Sequence, residues 1–317
     1  MPLYSYADII LFSSVHMADL PTAIADNEEQ SPDITFQLIH SPLSEPADSD
    51  WIYHWYTPSG DISISLAQTD KGFLLRFPSL ADFAISEDGN NIDAWQVPET
   101  DAETLRHLLL DQVMPRVLAH RGSLVLHASA LNMEGRAIAF VGDTGQGKST
   151  LAASLHLAGY PLLTDDGLLV QVEEACLKAL PCYPGLRLWP QSVTALFKEL
   201  PPCEAKASYS EKNRVILTSD NEIAPLELAV LFVLEEPDSS NGEDTVKVVP
   251  LSQREACMAL ICNSFKLDVT NHNQAKKLFA AASAVAKQLP VFSLSYPRDF
   301  SCLPAVHEVI LQQCSEA

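Results

Sequence analysis

The chain has 317 residues, 47% of them hydrophobic, and 41 acidic against 20 basic side chains give a formal charge of −21 at pH 7. That length suits two domains, and no stretch approaches the ~18 uninterrupted apolar residues a membrane span needs. A charge this negative, without a basic stripe, argues against binding the phosphate backbone of nucleic acid.

The first seventeen residues hold an apolar patch at 9–12 but no basic segment ahead of it. No signal peptide is therefore expected, and the chain is expected in the cytoplasm. Residues 1–100 read as a β-rich N-terminal domain. Short β-branched or aromatic runs at 34–40, 51–56, 61–67, 72–77 and 83–86 are divided by Pro58-Ser59-Gly60, Asp70-Lys71-Gly72 and Asp88-Gly89-Asn90. Ile62, Ile64 and Leu66 alternate with Ser63 and Ser65, the pattern of a half-buried strand. Stretches 26–33 and 41–50 read as exposed loops. No catalytic constellation appears: His40 and His54 stand alone, and Trp51, Trp55 and Trp95 suit a core or an interface.

Thr100 is placed to cap a helix running to about His120, with Glu103 completing a capping box. Leu105, Leu108, Leu109, Val113, Met114, Val117 and Leu118 keep helical spacing, and Pro115 inside the run is expected to kink or split it. The domain boundary is expected near Asp101, with this helix packed on the second domain, 101–317.

The chemistry concentrates in 136–170. The pattern predicts a strand at 136–141, a helix at 148–158 with Leu151, Leu155 and Ala158 on its buried face, and a strand at 160–164 ending in Asp165 and Asp166. Between the first two lies Gly142-Asp143-Thr144-Gly145-Gln146-Gly147-Lys148-Ser149, which fits G-x-x-x-x-G-K-[ST] at every fixed position. Glycines let successive N–H groups point at phosphate oxygens, and the helix opening at Lys148, Ser149 and Thr150 adds its positive end. In that setting Lys148 reaches the β- and γ-phosphates and Ser149 holds Mg²⁺, so ATP and Mg²⁺ are the expected cofactors. Asp165 and Asp166 end the next strand, where ligands of open α/β sheets bind. One carboxylate there can support Mg²⁺ while the other takes a proton from an attacking hydroxyl. Upstream, His127 lies in a strand-like run, 122–131, that turns at 133–135 and returns toward the loop.

His127, the loop ending at Lys148, and the pair Asp165 and Asp166 have the order and spacing of the kinase domain of HPr kinase/phosphorylase. The chain resembles that family strongly over 127–172 and loosely beyond. The resemblance implies an α/β fold, a P-loop kinase domain of the HPr kinase/PEP carboxykinase type behind the β-rich N-terminal domain. It implies a kinase that moves the γ-phosphate of ATP to a hydroxyl, a serine of a peptide or small protein. Carried over, His127 is the active-site histidine, Lys148 the loop lysine, Ser149 the Mg²⁺ ligand, Asp166 the general base, and Asp165 its metal-supporting neighbour. Two family features are not matched. Gly185 and Leu186 keep the shape of a later signature, but 182–189 contains no Glu, and no Arg/Lys-rich loop follows. With its separate N-terminal domain, the chain is similar to the divergent branch that modifies peptides in lasso-peptide biosynthesis.

Beyond Asp166 the pattern predicts a strand at 168–172, a turn-rich loop at 181–185, a short helix at 191–200 and a mobile composition at 201–210. Lys212 and Arg214 could meet phosphate, although they read first as surface charges. The apolar strand 226–234 ends in Glu235 and Glu236, as a Walker B strand does, so an ABC-like or other P-loop ATPase is an alternative. Ser252 and Glu255 form a capping box opening a helix at 253–263. Helices at 273–288 and 304–313 flank a strand at 291–296, and Arg298 after it is a further candidate phosphate contact. A third reading is a nucleotide-sensing module without turnover. Seven cysteines, none in a C-x-x-C pair, read as reduced thiols rather than a disulfide frame or zinc site. A peptide or small-protein acceptor is the expected partner, the negative charge favouring a basic one. Neither nucleic acid nor membrane is expected, and self-association into a homo-oligomer is left open.

Overall fold

The structure, a computed structural model, describes residues 2–23, 31–41, 43, 50–57, 59–173, 176–183, 185–204, 207, 209–216, 224–236 and 245–316. Much of the loops expected at 26–33 and 41–50, and part of 201–210, lies outside the described residues. The chain divides into two compact units. The first comprises Met1–Gly122 with Lys206–Ser210 and Lys266–Ala275, and the second the remainder.

In the first unit the described strands form one sheet in the order β1-β2-β3-β8-β7-β6-β5-β4. These are β1 (Leu3–Tyr6), β2 (Ile9–Ser13), β3 (Ile34–Leu38), β4 (Trp51–Tyr56), β5 (Ile62–Thr69), β6 (Gly72–Phe77), β7 (Ala81–Ser86) and β8 (Asn91–Gln96). From β4 to β8 the sheet is an antiparallel meander, and β3 then joins β8 in parallel. Strands β1, β2 and β8 were not expected from the sequence. They are short or carry Asn and Asp, residues that depress strand propensity, and neighbouring strands stabilise them instead.

A continuous helical run follows: α1 (Ala102–His107), a π-turn (Leu108–Val113) and α2 (Met114–His120). Its N-cap is Asp101, one residue later than expected, with the carboxylate accepting from Thr104 N at 2.6 Å. Thr100 is engaged elsewhere, its hydroxyl donating to Leu80 O at 2.7 Å. Pro115 neither breaks nor splits the run. The wide turn just before it, where Met114 N–H reaches back to Leu109 O, absorbs the hydrogen bond a proline cannot make. Leu105, Leu108, Leu109, Val113 and Val117 are buried, and Tyr6 Oη donates to Leu110 O at 2.7 Å, tying the run to β1. This unit, which includes the helical run, extends to Gly122.

The second unit is an α/β layer structure. Its strands are β9 (Leu124–Leu126), β10 (Ala128–Met133), β11 (Arg136–Val141), β12 (Leu162–Asp165), β13 (Leu168–Val172), β14 (Leu177–Pro181), β15 (Leu186–Leu188), β16 (Cys203–Glu204), β17 (Asn213–Val215), β18 (Leu226–Glu235), β19 (Lys247–Pro250) and β20 (Val291–Ser295). Helices are α3 (Lys148–Leu157), α4 (Pro190–Leu196), α5 (Gln253–Cys262), α6 (His272–Gln288, which belongs to this unit from Lys276 onward) and α7 (Leu303–Glu316). The main sheet runs β12-β10-β11-β18-β14-β13-β9, with β20 also on β18 and β19 on β20. On one face Ala137, Ala139, Val141, Leu228 and Leu231 meet Leu260 of α5 and Val285 of α6. On the other Ile138, Phe140, Val230 and Phe232 meet Leu151 and Leu155 of α3 and Val306 and Ile310 of α7. That two-residue alternation explains why both strands read as continuous apolar runs. Ala158 is exposed; Ala152 and Ala153 complete the buried part of α3. Ala153 packs on a small sheet, β15-β17-β16, through Leu186, Leu188 and Val215. Among the described residues no helix is long and apolar enough to cross a membrane.

Gly72 opens β6 with φ +135°, and a Cβ there would collide with the main chain of Ile85, Ser86 and Glu87 across the hairpin. Gly72→Ala should therefore destabilise the first unit by more than about 2 kcal/mol, since neither the torsion nor the backbone contact can relax cheaply. Denaturant unfolding checks this, and a midpoint equal to wild type would contradict it.

Candidate functional site

Strand directions bring the site together. Strand β18 runs parallel to β11 and β20 parallel to β18. Strand β12 is antiparallel to β10, which is antiparallel to β11, so β12 and β11 point the same way. The carboxyl ends of β11, β12, β18 and β20 thus share one edge of the unit, the place where open α/β sheets bind ligands. There lies a cavity of about 340 Å³.

The loop after β11 forms one wall. Gly142 must be glycine: φ is +148°, and a Cβ would strike Gln146 Oε1 and come within 3.0 Å of Leu234 O. Gln146 Oε1 accepts from Asp143 N at 2.9 Å, closing the loop on itself. Gly147 at φ +88° caps α3 and turns the chain into the helix. Thr144, Gly145, Gly147, Lys148, Ser149 and Thr150 line the cavity. Gly142, Asp143 and Gln146 are not among the lining residues and build the loop from behind. Lys148 is buried, and its Nζ donates to Gly142 O at 2.7 Å and Asp143 O at 3.2 Å. Burial pushes its ammonium below the usual lysine range, while Asp165 and Asp166 pull it back up.

The two carboxylates after β12 are not equivalent. Asp166 lines the cavity, and its Oδ1 lies 3.5 Å from His127 Nε2, also in the lining. Asp165 is 3% exposed and outside the lining. Its Oδ1 accepts from Ser129 Oγ at 2.5 Å and its Oδ2 from Arg187 N at 3.1 Å. Burial, and then the charge of Asp166, push the Asp165 carboxyl up to about 6, against the pull of the Ser129 hydrogen bond. Of the residues expected at the site, the structure therefore gathers His127, Lys148, Ser149 and Asp166 at one cavity and sets Asp165 behind them.

Positive side chains complete the wall. Arg187, Lys212 and Arg298 line the cavity and Arg214 does not. Arg298 stacks on the Tyr296 ring at 4.8 Å, and its Nη2 donates to Glu235 O at 2.8 Å. Glu235 itself is exposed and absent from the lining. Sequence reasoning missed Ser129, Asn263 and the part played by Arg187. Asn263 Oδ1 accepts from Gly142 N at 2.9 Å across 121 positions, a contact with no local signature.

The donors suit Mg²⁺ shared with phosphate better than a resident metal. Ser149 offers one hydroxyl at the N-terminus of α3, and among the described residues no group of three or more His, Cys, Asp or Glu could hold a metal. Mg²⁺ typically keeps several waters and takes only one or two protein oxygens beside substrate phosphates, which fits this sparse set.

No protein-family model matches the sequence, and no curated protein matches it. Among solved structures, the HPr(Ser) kinase/phosphatase from Coxiella burnetii matches at a TM-score of 0.29 and 10% identity, over 61% of this chain and 97% of that one. At that TM-score the likeness decides neither fold nor chemistry.

Because the folded state raises the Asp165 carboxyl from 3.8 to about 6, it binds more protons there than the unfolded chain between those values. This residue's contribution to stability is therefore largest below the unfolded value and is lost as pH rises toward about 6. In metal- and nucleotide-free protein, Asp165→Asn should gain stability relative to wild type as pH rises from 4 to 7. Thermal unfolding across that range tests it; a difference that does not vary with pH would contradict the assignment.

Proposed function

We propose that the chain is an ATP- and Mg²⁺-dependent kinase that transfers the γ-phosphate to a hydroxyl, with a serine of a peptide or small protein as acceptor. The observation supporting this reading most directly is one cavity lined on one side by Lys148 and Ser149 and on another by Asp166 beside His127. A P-loop alone would suit any nucleotide binder; a carboxylate facing it suits a reaction that must remove a proton.

In this reading the N–H groups of Thr144, Gly145 and Gly147 and the N-terminal end of α3 receive the phosphates. Lys148, held on Gly142 O and Asp143 O, places a positive charge beside them. Mg²⁺, when bound through Ser149, supplies charge neutralisation at the β- and γ-phosphates. Asp166 accepts the acceptor's proton as the hydroxyl oxygen bonds to the γ-phosphorus and the bond to the ADP oxygen breaks. His127 orients the Asp166 carboxylate. Arg187, Lys212 and Arg298 are at hand for the charge on the transferred group and on departing ADP. The ATPase alternative requires Glu235 to polarise a water, but that side chain stands outside the cavity lining, where only its carbonyl serves, by holding Arg298.

Lys148→Ala removes the point charge at the phosphates and should weaken ATP binding by calorimetry and abolish transfer. Unchanged affinity and unchanged transfer would dismiss the nucleotide reading altogether.

Asp166→Asn keeps shape and hydrogen-bonding reach but loses basicity. With γ-labelled ATP and candidate peptide acceptors, transfer should fall by about 10²–10⁴ while ATP binding survives. Glu235→Gln should leave transfer near wild type. Normal turnover in Asp166→Asn beside a dead Glu235→Gln protein would sink the kinase in favour of an ATPase. Tight ATP binding with no turnover of either kind would identify a sensor.

A further inference from the structure

Helix α5 ends at Cys262, and the next residue makes contacts in three directions. The Asn263 side-chain amide bridges two segments: Nδ2 donates to Ala259 O at 2.9 Å, in the last turn of α5, and Oδ1 accepts from Gly142 N at 2.9 Å, at the start of the glycine loop. Its main-chain oxygen accepts from His127 N at 2.8 Å. The amide orientation follows from chemistry, because flipping it would set NH₂ against N–H and oxygen against carbonyl. The chain just beyond continues the same join. Ser264 bridges Leu126, Phe265 N donates to Val125 O at 2.9 Å, and the Phe265 ring lies 5.7 Å from the His127 ring. One helix end thus fastens both the strand junction carrying His127 and the first peptide of the loop, although 121 and 136 positions separate Asn263 from Gly142 and His127 respectively.

Asn263 is not among the residues lining the cavity, so it acts through others. Gly142, which it grips by the N–H, presents its own carbonyl, in the following peptide group, to Lys148 Nζ. The His127 main chain it grips carries the ring that faces Asp166. We propose that Asn263 is a positioning residue that fixes the phosphate-binding loop, with Lys148, at a set distance from the His127 and Asp166 pair. Its consequence for catalysis rests on the kinase reading; the mechanical join does not.

The experiment separates the two. Amide exchange, read by mass spectrometry on nucleotide-free protein, follows peptides covering Gly142 and His127 in wild type, Asn263→Leu and Asn263→Asp. Leucine has similar size and no side-chain oxygen, so Gly142 should exchange about tenfold faster, the scale of one lost partner for a shielded amide, while His127, whose acceptor is the main-chain oxygen that leucine keeps, should stay protected and serve as the reference. Aspartate keeps the acceptor oxygen and loses only the donor, so Gly142 should remain protected as in wild type. Should the leucine variant fail to fold, Asn263→Gln, which displaces the oxygen by one methylene, takes its place with the same expectation. Unaltered exchange at Gly142 in the leucine variant, or equal loss of Gly142 protection with leucine and aspartate, would overturn the join. In transfer assays the leucine variant should lose about 10- to 100-fold in kcat with the KM for the acceptor changed less than about twofold, a 1 Å misplacement being enough for that. A kcat equal to wild type in the folded variant would overturn the positioning role. If wild type transfers phosphate to nothing while the exchange result holds, the join stands and the kinase reading falls.

Discussion

Strand β18 is the constraint on which the second unit depends. Along one edge it pairs in parallel with β11 from Glu227 to Val233. Along the other it serves two partners, β14 at Leu226 and Glu227 and β20 from Leu231 to Glu235. Those ladders set Val141 level with Val233 and Ser295 level with Glu235, so the residues that leave β11 and β20 emerge on either side of the end of β18. Ala229 is an extra residue opposite β11 and resets which face each later side chain meets. Phe232 and Leu231 then fall into opposite cores, each fully buried. Burying such side chains is worth about 1.5–3 kcal/mol apiece, and a one-residue slip would turn all of them to the wrong face. The register is thereby pinned by packing well away from the cavity whose walls it places.

Charge is distributed against the average. The chain carries −21 overall, yet Lys148, Arg187, Lys212 and Arg298 line the cavity, against Asp166 and Asp299 as its carboxylates. The wider negative field is screened within roughly 8 Å at physiological ionic strength, so a phosphate at the loop meets the local cations rather than the distant acids. Of these, Lys148 and Arg187 are buried, which strengthens their interactions, and the same desolvation raises Asp165 and lowers Lys148.

What could be read from the sequence was local. The run 136–141, the glycine loop, the helix opening at Lys148 and the strand 226–234 announce themselves by periodicity and spacing, and the structure keeps them within a residue or two. The capping box at Ser252 and Glu255 is likewise present with both hydrogen bonds. The N-cap at 101 was misplaced by one because Thr100 has a partner, Leu80 O, twenty residues away. Strand β2 coincides with the apolar patch at 9–12, whereas β1 has only four residues and β8 carries Asn91 and Asp93, and neighbouring strands stabilise both. Asn263 and Ser129 were invisible for the same reason: an Asn at a helix end and a Ser in a small-residue strand look ordinary until the sheet brings Gly142 and Asp165 to them.

The adjacent carboxylates show how far the same limit reaches into chemistry. Two neighbouring residues at a strand end point to opposite sides, so of Asp165 and Asp166 one had to face inward. Which one depends on the pairing of β12 with β10, where Ser129 lies opposite Asp165. That pairing buries Asp165 and gives it two donors, the Ser129 hydroxyl and the Arg187 N–H. Both donors favour the charged form, burial and Asp166 oppose it, and burial is the larger effect. A carboxylate so enclosed is poorly placed to exchange ligands or protons with a substrate, but well placed to hold the end of β12 against β15. Asp166, on the outward side, keeps its oxygens at the cavity beside His127. Environment rather than residue type separates the two, and the same environment leaves only Asp166 with oxygens open to whatever enters the cavity.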